Sequence, residues 1–504
     1  MKMRRNNLRL RTLLPIALLL AGTMQMYAQS AKTPRVLTSW REQFHRRHRD
    51  LSELMDMASN APPNLSAKAL VTIAESPKLK NLEWKRNILL EAFDAAALAH
   101  DPMPRTFVLS GTLKAFAIIG TRAQLEELIY EQRVDRLSLQ SEIVAEMLKI
   151  DSSAARDLYF RMPSPSLSRS VCADAFVPDP SAYYAVLGEI TKAAFSSTEK
   201  QQQRDLQLVS ATIRKMKSPS DLAPISRILL SPQWSIEEVS LLVADFSSVM
   251  ADMETDDRSF SSTLSDTDTE IRRVIDLLRS HQIATEPLLA AYRAYLTHGL
   301  SEERCADNIE NDENVTKVVR RFNQQFASEG NPRLAPFDLA ELKPAKIGGE
   351  PEMQRLFTDT ASDNFLENIL DLAVQQLPKL TDAEDQAAAR QDRVFEMFDN
   401  MQPESGEDNN SYIMRKGFAF TAVIEVMPPG ERRERVLLHY ADFLNSVADN
   451  SSDLAAWLGP LLLLNDVGPD SVERKTLLEK LLSSPQPAVA LYARLQHLQQ
   501  DSQH

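Results

Sequence analysis

Glycine is scarce in this chain, with 13 in 504 residues, under half of the roughly 7 per cent usual in proteins. Tight hairpins, phosphate-cradling loops and nucleophile elbows rely on glycine where the backbone turns sharply or a ligand approaches closely. The sequence contains no GxGxxG, no GxxxxGK followed by Ser or Thr, and no GxSxG, so Rossmann, P-loop and α/β-hydrolase readings are disfavoured. Cysteine is scarcer still. Cys172 and Cys305, each in a Cys-Ala-Asp triplet, are the only two; they can pair as a disulfide or stay as two buried thiols. Neither has a close second cysteine or histidine, which argues against a zinc site. The apolar run Leu13 to Gly22 is too short to cross a hydrocarbon core, which takes about 20 residues.

Lys2, Arg4, Arg5, Arg9 and Arg11 precede that run, and Ala28 and Ser30 follow it. Positive charge, then an apolar stretch, then small residues is the order of an export signal. We read residues 1–30 as a signal peptide cleaved after Ser30, or alternatively after Ala28, and expect a periplasmic or secreted protein with no transmembrane segment in the mature chain. The mature chain then has 52 Lys and Arg against 70 Asp and Glu, a formal charge of −18. Such an acid excess disfavours nucleic acid and anionic lipid as partners; only Lys32 to Arg49 is locally basic.

Helix formers and helix-period apolar spacing recur almost without interruption, and period-two alternation is absent. Leu37, Trp40, Phe44, Leu51, Leu54 and Met55 predict a helix over Val36 to Met57. Asn64 is expected to cap a short helix to Ser76, and Asp151 one over Ser152 to Arg161. Ser196-x-x-Glu199 and Ser235-x-x-Glu238 have capping-box form, the first opening a long helix to Lys217. Asp268 or Thr269 is expected to start a helix to Ser280. Further helices are expected at 364–376 and 454–464, with a Thr381-x-x-Glu384 capping box between them. Residues 329–352 are rich in Pro and Gly and read as a linker between an N-terminal helical domain (31–328) and a C-terminal one (353–504). The fold expected is all-α: an irregular helix-pair array or bundle of α-α superhelix type, HEAT- or TPR-like in outline without either consensus.

Asn60-Ala-Pro-Pro, Ala67 to Ser76, Trp84-Lys-Arg and Glu91-Ala-Phe-Asp-Ala-Ala96 resemble the N-terminal region of exported, all-helical bacterial proteins with no assigned activity. The resemblance implies export and a helical fold, covers about forty residues, and brings no catalytic residues with it.

No catalytic, cofactor-binding or metal-ligating set emerges, and no cofactor is expected. His45 and His48 stand three apart among Arg46, Arg47 and Arg49, which favours a polar helix face over a metal site. Ser197-Thr-Glu-Lys200 matches a Ser-x-x-Lys pattern but lacks the Ser-Asp-Asn and Lys-Thr-Gly companions of penicillin-recognising enzymes. Asp266-Thr-Asp268-Thr-Glu270 opens like a calcium loop, yet Ile271 stands where the loop needs glycine, so we read it as a solvated N-terminal helix cap. Trp40, Trp84, Trp234 and Trp457, with Tyr183-Tyr184 and Tyr292-x-x-Tyr295, are expected in the core. The leading functional expectation is a non-enzymatic envelope scaffold that binds another envelope protein or a peptide. The alternative is a helical hydrolase or lyase acting on cell-wall or polysaccharide material through a glutamate general acid; a carrier of an apolar ligand is a third reading.

Overall fold

A computed structural model describes residues 35–99, then 129–327 apart from short interruptions, parts of 334–347 and 395–424, and residues 430–447 and 471–501. The leader 1–30, the helices expected at 364–376 and 454–464, the Thr381 capping box and Trp457 lie outside these residues. The described chain is all-α, its only strands being two of two residues each. No helix among the described residues is long and apolar enough to cross a membrane.

Two compact units divide after Asp56. The first contains α1 (Arg35–Arg47) and most of α2 (Arg49–Ser59), separated only by His48. Amide bonds from His48 to the Phe44 carbonyl and from Ser52 to that of His48 carry the helical ladder across the break. Trp40, Phe44, Leu51, Leu54 and Met55 are buried, as their spacing requires.

The second unit runs α3 (Pro63–Glu75), α4 (Leu82–Ala96), α5 (Arg136–Leu148), α6 (Ser152–Arg161), α7 (Ser181–Ala193), α8 (Ser197–Gln201), α9 (Arg204–Ile213), α10 (Leu222–Leu229), α11 (Ile236–Ala251), α12 (Ser259–Ser280), α13 (Glu286–Ser301) and α14 (Ile309–Gln325). After these come α15 (Glu431–Ser446), α16 (Val472–Leu482) and α17 (Pro487–Asp501). Side-chain caps start many of them. Asn81, Asp135, Asp151 and Ser471 each accept a first-turn amide, and Ser196 and Ser235 complete capping boxes with Glu199 and Glu238. Asn64 does not cap α3 as expected. Pro63 opens that helix, and Asn64, inside its first turn, donates from Nδ2 to the Val134 carbonyl at 2.6 Å. The helix expected from Ser196 to Lys217 is two, because Gln203 takes a left-handed conformation (φ 56°) between α8 and α9.

Alternate helices stack into two rows: α3, α5, α7, α10, α12 and α14 in one, α9, α11 and α13 in the other. Cross-links show two pairs of helices running parallel. Between α7 and α10, Tyr184 Oη donates to Asp221 Oδ1 at 2.9 Å, Gly188 faces Ile228, and Gln233 Nε2 donates to Thr191 Oγ1 at 3.0 Å, in the same order along both helices. Arg86–Asp151 (3.1 Å) and Asp94–Arg161 (2.7 Å) order α4 and α6 in the same way. Exposed pairs like these add at most about 1 kcal/mol each; the stacking energy comes from the apolar faces they flank, such as Leu242, Phe246 and Met250 on α11. The last helix, α17, packs on α3 and α16, so α3 is buried along nearly its whole length.

Two glycines test this packing in opposite directions. A Cβ on Gly188 would meet only Ile228, at 3.8 Å; Gly188→Ala is expected to stabilise by about 0.5–1 kcal/mol, the ordinary gain in a helix interior. A Cβ on Gly299 would run into the Phe260 ring, itself fully buried. Gly299→Ala is expected to cost about 1–3 kcal/mol through overpacking. Denaturant midpoints that moved the same way for both would contradict the helix contacts.

Residues inside the expected 329–352 linker lie against α13 and α14. Asn323 bonds Phe337 twice, Nδ2 to its carbonyl (2.7 Å) and Oδ1 from its amide (2.8 Å). Phe337 packs on Phe322 and under Arg293, whose Nε donates to Ala335 at 2.8 Å. Strand β2 (Lys346–Ile347) pairs in parallel with β1 (Cys305–Ala306).

Candidate functional site

A dense polar cluster is centred on the acidic triplet of α12. Asp266, Asp268 and Glu270 sit mid-helix, because α12 begins at Ser259. The reading of this triplet as a solvated helix cap is therefore corrected: Asp268 is 0% exposed, and Glu270 is buried. Tyr292 Oη from α13 donates to Asp268 Oδ1 at 2.9 Å, while Arg272 Nε (3.1 Å) and Arg321 Nη2 of α14 (2.9 Å) share Oδ2. Two residues on, Arg227 of α10 and Arg273 hold Glu270 at 3.1 and 2.8 Å. The carboxylates thus face guanidinium groups, which leaves no vacant acidic pocket for a cation; no group of metal-ligating residues occurs among the described residues. The cluster joins three successive members of one helix row, and its chemistry is structural. Only the pairing partners, far away in sequence, distinguish it from a surface cap.

A second carboxyl in the same row is Asp221, in the short 3₁₀ turn before α10. Burial pushes its pKa up, opposed by the amides of Ser218 and Lys217 and by the Tyr184 hydroxyl. Tyr184 is pushed up in turn by its own burial and by Asp221, and the hydrogen bond between them ties α7 to the buried turn before α10.

Glu75 differs. It lies at the exposed C-terminal end of α3, and its pKa is raised to about 6 by partial desolvation and by Glu146 and Glu142 of α5, against the pull of Lys68 and Lys149. Lys68 is committed to Glu142 at 2.7 Å. A carboxyl titrating there can transfer protons near neutral pH. The shift also has a stability consequence. A folded pKa above the ordinary carboxyl value of 4.5 means the folded state holds the proton more tightly. Its stabilisation is thus complete below pH 4.5 and lost as pH rises through about 6. Glu75→Gln is therefore expected to stabilise at pH 7–8 by about 0.5–1 kcal/mol after allowance for solvent screening, and to make no difference at pH 4. Denaturation curves at both pH values check this; equal effects at the two would contradict the raised pKa.

The other sequence candidates are placed as follows. His45 Nδ1 is 2.7 Å from Ser52 Oγ, and His48, at the break after α1, packs on Phe44. Lys200 Nζ donates to the Lys192 carbonyl at 2.8 Å, while Ser197 is exposed in the first turn capped by Ser196. Trp40, Trp84 and Trp234 are buried, the last donating from Nε1 to Ile228. Both tyrosine pairs are buried, and Tyr183 lies edge-on to Tyr184. Cys172 and Cys305 are joined in a disulfide with a Cα separation of 5.3 Å. The long ion-paired registry of α12 with α14 is what sequence reasoning missed; Arg321 carries no local signal of it.

Comparison of the chain with family models, curated proteins and solved structures gave no match.

Proposed function

We propose that this chain is an exported, non-enzymatic α-helical scaffold of the cell envelope, whose stacked helices offer a surface to another protein or a peptide. The observation that carries the reading is the two-row stacking of alternate helices in the second unit, an arrangement whose extended faces generally serve recognition. That step is an argument from architecture. The disulfide joining Cys172 to Cys305 suits an oxidising compartment, and the charge order of residues 1–30 suits a cleaved leader. The resemblance of residues 60–96 to exported helical proteins points the same way.

Two measurements test the reading. Intact mass of protein recovered from the envelope fraction is expected to begin after Ser30 or Ala28 and to be two hydrogens lighter than the dithiol. Immobilised mature protein is expected to retain one defined envelope partner at salt high enough to screen its acidic surface, competed off by soluble mature protein. Intact precursor confined to the cytosol would defeat the proposal.

A helical hydrolase or lyase is the second reading, favoured by the Glu75 carboxyl poised near pH 6. Turnover of cell-wall polysaccharide that disappears in Glu75→Gln would replace the first reading with this one.

A further inference from the structure

We propose that the seam between α12 and α14 is a docking strip for an acidic peptide segment of a partner protein. The inference rests on the scaffold reading and names the chemistry of its partner. Asp268 is buried beneath this seam, and two guanidinium groups, through Arg272 Nε at 3.1 Å and Arg321 Nη2 at 2.9 Å, share its Oδ2 oxygen. One carboxylate cannot balance two arginines. The surplus charge faces outward, because the Arg272 and Arg321 side chains keep 25% and 37% of their surface exposed while Asp268 keeps none. Each guanidinium carries five N–H donors, and Asp268 engages only part of them.

The seam continues with the same sign on both sides of that pair. Arg279 is exposed two turns beyond Arg272 on the same face of α12, and its guanidinium lies 5.6 Å over the ring of Phe326, which follows Arg321 on α14. The two helices therefore run past each other in the same order. Lys317, exposed one turn before Arg321, donates to Asn314 Oδ1 of its own helix at 3.2 Å. Four cations thus stand along the seam against Asp268 and the exposed Asp276, a surplus of two positive charges in a mature chain of formal charge −18. Glu310, two turns before Lys317, ends the strip.

A strip of this kind selects a narrow anion. Charges act over about 8 Å at physiological ionic strength, so a peptide lying in the seam meets its surplus while the acidic remainder of the protein is screened from it. A bilayer or a nucleic acid spreads negative charge over a wide area and would face that remainder as well. Peptide is the partner class the charges favour. Arg272 to Arg279 spans about 10 Å at the helical rise of 1.5 Å per residue, a distance an extended peptide covers in about three residues. A short Asp- or Glu-rich run therefore supplies a carboxylate to each arginine. Because Asp268 already orients the Arg272 and Arg321 guanidinium groups, a charge-assisted contact to an incoming carboxylate costs them little further ordering.

The test is fluorescence anisotropy of a fluorescein-labelled oligoglutamate peptide titrated with the full mature chain. Saturable binding is expected at low salt despite the net negative charge of the protein, and it should weaken as salt is added. Lys317→Glu is expected to weaken it by about fivefold or more, because the new carboxylate stands one turn from Arg321 and competes for its guanidinium. Lys215→Glu makes the same charge change on an exposed lysine after α9 and is expected to alter binding by less than about twofold. If Lys317→Glu loses helix content by circular dichroism, Arg279→Gln takes its place, with about threefold weakening expected. Absence of binding by the unmodified chain, or equal weakening by Lys215→Glu, would overturn the strip. So would Lys317-dependent binding of phosphatidylglycerol vesicles with none of the peptide. An envelope partner retained undiminished by Lys317→Glu protein would remove the seam as its dock and leave the scaffold reading standing. Lys317-dependent peptide binding by a protein that retains no envelope partner would support the strip and count against the scaffold reading alone.

Discussion

Asp268→Ala is expected to destabilise the α12–α14 region by about 3–5 kcal/mol, the range for removing one partner from a buried ion pair. The side chain removed is small, so little of this comes from lost packing. It comes from what is left behind: Arg272 and Arg321 facing each other without a counter-charge, and a fully buried Tyr292 hydroxyl without its acceptor. Tyr292→Phe removes one hydrogen bond to the same carboxylate and leaves both ion pairs; about 1–2 kcal/mol is expected. The double variant should cost clearly less than the sum, because the hydroxyl stranded by Asp268→Ala is then gone. Asp268→Asn keeps an acceptor for Tyr292 and should fall between the two single variants. In a chain of this length global two-state unfolding is not assured, so the readout is loss of exchange protection in α12 and α14, alongside the denaturant midpoint. A cost below about 1 kcal/mol for Asp268→Ala would mean that the carboxylate is in effect solvated, as the sequence first suggested.

That contrast shows where sequence reasoning holds and where it stops. A cap is a local device: Asp151 bonds Ala154, Ser196 bonds Glu199 and Ser235 bonds Glu238, each within three residues. These were legible because donor and acceptor stand in the same few residues. The apolar stripes of α1 and α4 were legible for the same reason, since Trp40 with Phe44 and Trp84 with Ile88 report a helical period directly. Asp268 sends the same local signal as a cap, an acidic residue among Ser and Thr ahead of an apolar run. Its partners are Tyr292 and Arg321, on later helices, and no spacing rule connects them. Asn64 misleads in the same way: it is a good capping residue by type, yet it bonds Val134 across to the start of the next row member. The break at Gln203 was illegible because the left-handed turn there uses neither Gly nor Asn. The Pro/Gly texture of 329–352 identified an irregular stretch but could not reveal that Asn323 and Asp312 of α14 bond Phe337 and Ala345 within it.

The largest single effect is expected from the disulfide. It closes a sequence separation of 133 residues, and the chain-entropy estimate for a loop of that length is about 5 kcal/mol at room temperature. The enclosed stretch contains α7 through α13, members of both helix rows. When these helices unfold with the bridge intact, the ends of the stretch stay together and the unfolded chain remains restricted. When they unfold with the bridge broken, that restriction is gone. Cys172→Ser/Cys305→Ser is therefore expected to lower the denaturant midpoint strongly even if the helices keep their native packing. It should also raise the dependence on denaturant, because the unbridged unfolded chain exposes more surface. Adding reductant to the wild-type protein should reproduce the shift, and adding it to the double variant should change nothing. A shift worth less than about 1 kcal/mol would indicate that α7 to α13 remain compact after unfolding, since the bridge can stabilise only to the extent that the unfolded chain would otherwise spread.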